Sequence, residues 1–170
     1  GMEAVVVVAA AAHGTELLKI AREKNVNFFF EASVGGGIPI IRTLTESYAG
    51  EHFKEITGIL NGTTNYILTK MDAEGESFEK ALATAQDLGY AERNPEADVE
   101  GHDTCRNIAI LSSLATGKEV NFENIHTEGI TKIDTTDFEY AKHLNTSIKL
   151  CGDAKFEDDK IFAFVAPVMV

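Results

Sequence analysis

The sequence predicts an α+β fold in which helices pack on one face of a mixed β-sheet. Three observations support this class. Short apolar runs of strand length alternate with helical patterns, glycine or proline separates many of them, and two strand-like runs joined by a short turn lie near the end. With 170 residues, of which 44% are hydrophobic, the chain is long enough for one packed core.

The first elements are predicted from apolar runs and glycine turns. The run over residues 4–10 predicts a buried strand or a strand–helix junction, and residues 13–24 have apolar positions at helical spacing. A strand is predicted over 27–32, followed by a glycine turn and a helix with Pro39 in its first turn. A further strand is predicted over 52–60.

The later elements begin and end at capping residues. Ser77 is a predicted N-cap, and Gly89 and Gly117 are predicted to end helices. The predicted helices cover residues 65–71, 77–89, 101–117 and 135–144, and the predicted strands cover 147–156 and 161–168. The chain starts and stops inside apolar runs, so we expect a fragment of a longer protein.

Composition excludes several classes of protein. The net charge of −12, from 27 acidic and 15 basic side chains, has the wrong sign for a nucleic-acid binder. The apolar content is too high for disorder, and no run reaches the roughly 18 apolar residues that span a bilayer. Because no export signal is present, and Cys105 and Cys151 suggest neither a disulfide framework nor a zinc site, we expect a cytoplasmic protein.

The glycine turn over residues 35–37 allows more than one interpretation. Ile40 stands where a dinucleotide fingerprint needs its last glycine, so we do not expect phosphate binding here. A plain tight turn is one possibility. The other is a site for a monovalent cation, because carbonyl groups and Glu31 would offer the oxygen ligands that hard cations take.

Two polar segments are candidates for ligand binding. Residues 61–64 (NGTT) predict a helix start with Thr63 or Thr64 as N-cap, and the alternative is a loop facing a small ligand. The second segment is an acidic stretch that contains Glu92, Glu96, Asp98, Glu100 and Asp103.

The acidic stretch also has two interpretations. It can be a solvated loop that complements the dipole of the following helix. Alternatively, its carboxylates can hold an ammonium group. Asn107 lies one helical turn after Asp103 on the same face, and an amide has no proton to exchange near neutral pH.

Three segments, in order and at matching separations, resemble homoserine dehydrogenase, an NAD(P)-dependent oxidoreductase. They are residues 30–41, 58–68 and 89–103 (FEASVGGGIPII, GILNGTTNYIL and GYAERNPEADVEGHD), and the resemblance extends from about His13 to the C-terminus. It implies reversible hydride transfer between nicotinamide and C4 of L-homoserine or L-aspartate 4-semialdehyde, in threonine and methionine biosynthesis.

The resemblance also implies a domain assignment. Residues 13–170 correspond to the substrate-binding, catalytic and dimerisation domain, truncated at its C-terminus, and residues 1–12 to the junction with a missing nucleotide-binding domain. The Rossmann domain, and with it the NAD(P) site, is absent, so we expect the chain alone to be inactive. A homodimer formed through the sheet is expected.

Site residues follow from the same resemblance. Glu92 and Asp103 correspond to the carboxylates that bind the amino and hydroxyl ends of homoserine, with Asp98 close by as a further substrate-binding residue. Gly62 and Thr63 correspond to the loop beside the substrate. The backbone ligands of a structural sodium or potassium ion correspond to Glu31, Val34, Gly36 and Ile38.

The sequence departs from the family at two positions. The family has a lysine where this chain has Asn107, and its ammonium group exchanges a proton with the reacting oxygen of the substrate. A second family lysine has no counterpart within residues 5–12. These departures leave an alternative, a non-catalytic paralogue that acts as an amino-acid-binding or dimerisation module.

Overall fold

The computed structural model describes residues 2–170, with the side chains of residues 10, 11, 13, 14 and 16–170. Its α-helices are α1 (Met2–Lys24), α2 (Ile40–Arg42), α3 (Gly62–Glu74), α4 (Phe78–Asp87), α5 (Glu96–Val99), α6 (His102–Thr116) and α7 (Thr135–His143). Its strands are β1 (Glu55–Gly58), β2 (His126–Thr127), β3 (Ile148–Glu157) and β4 (Lys160–Met169). None of the described helices combines the length and apolar character needed to cross a membrane.

The four strands form one mixed sheet with the order β1-β3-β4-β2. β3 and β4 pair antiparallel from Ile148 opposite Met169 to Glu157 opposite Lys160, so they form a long hairpin. β1 is antiparallel to β3, whereas β2 is parallel to β4. The predicted α+β class with a mixed sheet is confirmed.

The core lies between the sheet and helices α3 and α6. Ile67 and Leu68 of α3 and Ile108 of α6 are fully buried, and Leu150 of β3 belongs to the same cluster. The opposite face of β4 is more open, because it bears aromatic side chains that are 54% exposed at Phe162 and 38% exposed at Phe164. Helices therefore cover one face, as predicted.

The capping residues place several helix ends where the sequence predicts them. The Ser77 side chain accepts a hydrogen bond from the Lys80 amide at the start of α4. Gly89 follows α4 with a positive φ of 76°, and Gly117 ends α6 with a φ of 68°. At α7, Asp134 and Asp137 form a capping box.

The strand predicted over residues 4–10 is wrong, because these residues lie within α1. A short apolar run without alternation fits a buried helix as well as a buried strand, and alanine has the highest helix propensity. Ala10 is buried in a small cluster with Ile110 of α6, so part of the helix covers a neighbouring helix.

The strand predicted over 27–32 is also wrong. Residues 26–30 have no regular secondary structure, and Glu31–Ser33 form a 3₁₀ turn. No strand of the described chain pairs with this segment, and Phe29 is 84% exposed. The helix after Pro39 is present as α2 and continues as a π-helical turn over Thr43–Ser47.

Candidate active site

Asn61, the N-cap of α3, is the first residue of the candidate site along the chain. Its backbone is extended, and its side-chain Oδ1 accepts hydrogen bonds from the Thr64 amide at 2.9 Å and the Thr64 hydroxyl at 3.0 Å. The prediction that Thr63 or Thr64 caps this helix is therefore wrong. The helix starts earlier than predicted because asparagine caps at least as well as threonine.

Thr63 and Gly62 lie in the first turn of α3. The Thr63 hydroxyl donates to the Tyr90 carbonyl oxygen at 2.8 Å, which ties α3 to the loop that leads to Glu92. Gly62 is exposed, and a Cβ placed there would meet no atom within 4 Å. The backbone at Gly62 is therefore open to a ligand.

The structure brings Asp98 and Asp103 to the same side-chain amide. Nδ2 of Asn61 donates to Oδ1 of Asp98 at 2.8 Å and to Oδ2 of Asp103 at 3.1 Å. Between the two carboxylates, Gly101 turns the chain from α5 into α6 with a φ of 80°. Both aspartates are half-buried.

Gly129 holds this turn in place, and the sequence contains no motif that would have identified it. A Cβ at Gly129 would lie 2.2 Å from the Val99 carbonyl oxygen and 2.4 Å from the Glu100 Cα. The Ile130 amide donates to that same Val99 oxygen at 2.8 Å, and the Glu128 amide donates to Val165 of β4. Residues 128–130 therefore link the end of α5 to the sheet.

Asn107 lies beside Asp103 and is almost fully buried. Its Nδ2 donates to Asp103 Oδ2 at 3.2 Å and to the Leu60 carbonyl oxygen at 3.0 Å. Its Oδ1 is buried without a hydrogen-bond partner. Asn107 can therefore orient Asp103, but it brings neither a positive charge nor an exchangeable proton.

The electrostatics of the cluster favour a cationic ligand. Burial raises the pKa of Asp98 above its ordinary value, and the negative charges of Asp103 and Glu92 raise it further, whereas the hydrogen bond from Asn61 and the nearby Thr63 hydroxyl lower it. No ion pair among the described side chains includes Asp98 or Asp103. An ammonium group would supply the missing charge and several N–H donors.

The other carboxylates of the acidic stretch lie at the edges of this cluster. Glu96 begins α5 and is exposed, whereas Glu100 follows α5 and is half-buried. Glu92 is exposed and lies near enough to Asp98 to influence its pKa. The acidic stretch is thus part solvated surface and part candidate site.

The Asp98→Asn variant is expected to be more stable than the native chain at pH 7. The amide oxygen of the introduced asparagine still accepts a hydrogen bond from Asn61. Unlike a carboxylate, the amide carries no charge, so its burial does not require the desolvation of a charge. Because the folded-state pKa of Asp98 is raised, native stability falls as pH rises from the ordinary aspartate value through the raised one. We expect a gain in Tm of about 2 °C at pH 7 that disappears below about pH 3.5.

Thermal unfolding followed by circular dichroism at both pH values measures this difference. Glu96→Gln is the matched control, because it removes an exposed carboxylate from the same helix. It should give no gain. Equal Tm values for Asp98→Asn and the native chain at pH 7 would show that burial of Asp98 has no energetic cost.

The glycine turn does not fit a dinucleotide phosphate. The Glu31 carboxylate accepts from the Ile41 amide at 2.8 Å and from the Arg42 amide at 2.9 Å, so it already binds the amides at the start of α2. A phosphate would need such free amides. The Ile41 and Arg42 amides are therefore already paired with a side chain of the protein.

The predicted cation ligands lie in and around this turn. Val34 is buried, and Gly35 and Gly36 have φ values of 72° and 57°. The Glu31 carbonyl accepts from the Val34 amide at 3.3 Å, and the Ile38 carbonyl accepts from the Ile40 amide at 2.8 Å. Among the described residues, no three acidic, histidine or cysteine side chains are placed to hold a metal ion.

Comparison with known proteins identifies the family. A family model described as homoserine dehydrogenase matches residues 39–170. The chain belongs to the homoserine dehydrogenase family. The resemblance of the chain to homoserine dehydrogenase is therefore confirmed.

Individual relatives agree with this assignment. The homoserine dehydrogenase of Bacillus subtilis (strain 168) is 44% identical over 160 residues, which are 94% of this chain and 37% of that protein. The homoserine dehydrogenase of Mycobacterium leprae (strain TN) is 49% identical over 140 residues, or 82% and 32% of the two chains. This chain thus spans about a third of the length of these curated relatives.

Solved homoserine dehydrogenases have the same fold. The enzyme from Thiobacillus denitrificans matches with a TM-score of 0.89 at 41% identity, over 94% of this chain and 37% of that chain. A hyperthermophilic archaeal homoserine dehydrogenase in complex with NADPH matches with a TM-score of 0.78 at 30% identity, over 95% and 46% of the two chains.

Proposed function

We propose that the protein containing this chain is an NAD(P)-dependent homoserine dehydrogenase, and that this chain provides its amino-acid site. The reaction interconverts L-homoserine and L-aspartate 4-semialdehyde in threonine and methionine biosynthesis. The observation that supports the site is the pair of half-buried aspartates, Asp98 and Asp103, held by Asn61 with Glu92 nearby. Family membership supports the reaction.

Each site residue has a distinct role in this proposal. Glu92 and Asp98 bind the ammonium group of homoserine, because carboxylates form strong charge-assisted hydrogen bonds with N–H donors. Asp103 accepts from the hydroxyl group at the reacting carbon. Thr63 keeps the loop before Glu92 against α3, and Gly62 leaves space beside the substrate.

Hydride transfer requires a nicotinamide cofactor, for which we propose no binding residue in this chain. NAD or NADP supplies or accepts the hydride when bound, and the described glycine turn does not fit its phosphates because Glu31 occupies the adjacent amides. We therefore assign no cofactor-binding residue to this chain. In the proposed reaction, the residues of this chain bind the amino acid and orient its hydroxyl group.

We also propose that the glycine turn holds a structural sodium or potassium ion. Its ligands would be backbone oxygens of Glu31, Val34, Gly36 and Ile38. None of the described hydrogen bonds involves the Val34 or Gly36 carbonyl oxygens, so both can bind a hard cation. The Ser33 hydroxyl in the same turn is buried without a partner, which fits a polar ligand close by.

The division of the chain and its assembly are further parts of the proposal. Residues 13–170 form the substrate-binding, catalytic and dimerisation domain, and residues 1–12 belong to the junction with the nucleotide-binding domain. A cytoplasmic homodimer would cover the open sheet face that exposes Phe162 and Phe164. Burying aromatic side chains of this size favours association.

Asn107 favours a second candidate function, an amino-acid-binding paralogue without catalysis. The amide occupies the family lysine position, so proton exchange with the substrate oxygen is lost while the ammonium site is retained. The buried, unpartnered Oδ1 of Asn107 shows that this position is not fully satisfied within the protein. Both candidate functions require the same ammonium site.

Calorimetric titration of the chain with L-homoserine tests that site. We expect binding that Asp98→Asn weakens at least about tenfold, because Asp98 is assigned to the ammonium group and a charge-assisted hydrogen bond contributes roughly 1.5–3 kcal/mol. The control ligand is 4-hydroxybutyrate, which lacks the ammonium group, and the control variant is Asp158→Asn in the exposed β3–β4 turn. The proposal would be contradicted if the chain bound 4-hydroxybutyrate and L-homoserine with equal affinity. It would also be contradicted if the folded chain did not bind L-homoserine.

A further inference from the structure

We propose that Asn61 is a positioning residue of the amino-acid site, where its side-chain amide sets the separation of Asp98 and Asp103. This inference rests on the proposed function for its substrate, but its geometry is independent of it. Asn61 is 37 residues from Asp98 and 42 residues from Asp103 along the chain. One amide therefore joins the start of α3 to the end of α5 and the start of α6.

The hydrogen-bonding capacity of Asn61 is fully used. Its Oδ1 accepts from Thr64, and the two N–H bonds of its Nδ2 are directed to the two carboxylates. A flipped amide would direct its oxygen at both carboxylates and its N–H groups at the Thr64 amide. The network therefore allows one orientation, and Asn61 is only 7% exposed.

Asn61 binds one oxygen of each carboxylate. It contacts Oδ1 of Asp98 and Oδ2 of Asp103, so the second oxygen of each aspartate is not taken by this amide. The groups that face Asp98 are Asp103, Glu92, Thr63 and Asn61 itself. Without the Asn61 amide, the negative charges of Asp98 and Asp103 would repel each other. The two carboxylates would then move apart at the proposed ammonium site.

The capping role and the positioning role of Asn61 can be separated. Serine and aspartate are good N-caps, and either would accept from the Thr64 amide. An ionised aspartate offers no donor to the two carboxylates, and the single O–H of serine, on a shorter side chain, cannot replace the two N–H donors. An Asn61→Ser or Asn61→Asp variant should therefore keep helix α3 while it releases Asp98 and Asp103.

The test compares these variants in the intact chain by carbon-detected NMR and calorimetry. We expect Asn61→Ser to raise the pKa of Asp98 further, because the hydrogen bond that favours its charged form is lost. We expect L-homoserine affinity to fall by about tenfold or more, and Tm to change no more than in Asn121→Ser, a cap exchange remote from the site. Asn61→Asp should raise the Asp98 pKa as well, because it adds a third negative charge.

The outcomes separate the two hypotheses. An unchanged Asp98 pKa in folded Asn61→Ser and Asn61→Asp would overturn the positioning role, and so would unchanged homoserine affinity in a chain that binds homoserine. If the native chain binds no homoserine but both variants shift the Asp98 pKa, the proposed function fails while the positioning role is supported. If Asn61→Ser does not fold, Asn61→Asp gives the same measurements.

Discussion

Replacing Gly129 by alanine is expected to lower the free energy of unfolding by about 3 kcal/mol, the upper part of the usual range for overpacking. The added Cβ would lie 2.2 Å from the Val99 carbonyl oxygen and 2.4 Å from the Glu100 Cα. These are backbone atoms, so no side-chain rotation can relieve the overlap. Either the α5–α6 turn or the segment 128–130 must move.

Urea unfolding followed by circular dichroism measures the loss. Gly14→Ala is the matched control, because a Cβ there meets nothing within 4 Å and Gly14 lies inside α1, where alanine is favoured by about 1 kcal/mol. The control should be at least as stable as the native chain. An ordinary surface substitution changes the free energy of unfolding by roughly 0.5 kcal/mol. If the free energy of unfolding of Gly129→Ala differs from that of the native chain by no more than this, the proposed packing of residues 128–130 against α5 is wrong.

The Gly129→Ala variant should also lose affinity for L-homoserine. Asp98 lies immediately before Val99, and Asp103 follows Gly101 in the same turn, so a displaced turn moves both carboxylates relative to Asn61. Calorimetry on the folded variant would detect this loss. A loss of affinity would show that the packing of Gly129 against Val99 and Glu100 positions the two carboxylates.

Replacing Asn107 by lysine is expected to raise kcat by roughly 10²–10⁴-fold, the usual contribution of a positioned acid or base. The comparison is made in a protein that joins this chain to a nucleotide-binding domain. A lysine ammonium at this position would pair with Asp103, which Asn107 already contacts at 3.2 Å, and would donate a proton to the reacting oxygen. It would also remove the unpartnered Oδ1.

The rate is measured as NADPH oxidation in the presence of aspartate semialdehyde. Asn107→Met is the control, because methionine has nearly the length of lysine but no charge, and it should not increase kcat. The isolated chain serves as the blank and should show no turnover. If the protein with Asn107 and its Asn107→Lys variant have equal kcat values, the residue at position 107 does not exchange a proton with the substrate.

The elements predicted correctly from the sequence depend mostly on local chemistry. Ser77 caps α4 and Gly117 ends α6 because a side-chain acceptor and a left-handed glycine act within a few residues of the helix end. Residues 4–10 and 27–32 were predicted incorrectly because their apolar runs are compatible with several structures. A partner strand would have decided between them, and the described chain offers none beside residues 27–32.

In the candidate site, too, the residues that lie close together in the sequence could be predicted, whereas contacts between distant residues could not. Asp98, Asp103 and Glu92 can be found in the sequence because they are close together and follow the family pattern. Asn61 is missed as a partner of the aspartates because its contacts span 37 and 42 residues. Gly129 gives no sequence signal at all, since only the packed structure shows that a side chain would not fit there.

The central claim is that the cluster of Glu92, Asp98 and Asp103 is a binding site for homoserine. The most direct measurement is the change in backbone amide NMR signals of the chain as L-homoserine is added. We predict saturable shifts confined to residues 61–64 and 89–107, which surround Asn61 and the carboxylates. Shifts centred elsewhere, or none in a chain that gives the spectrum of a folded protein, would contradict the claim.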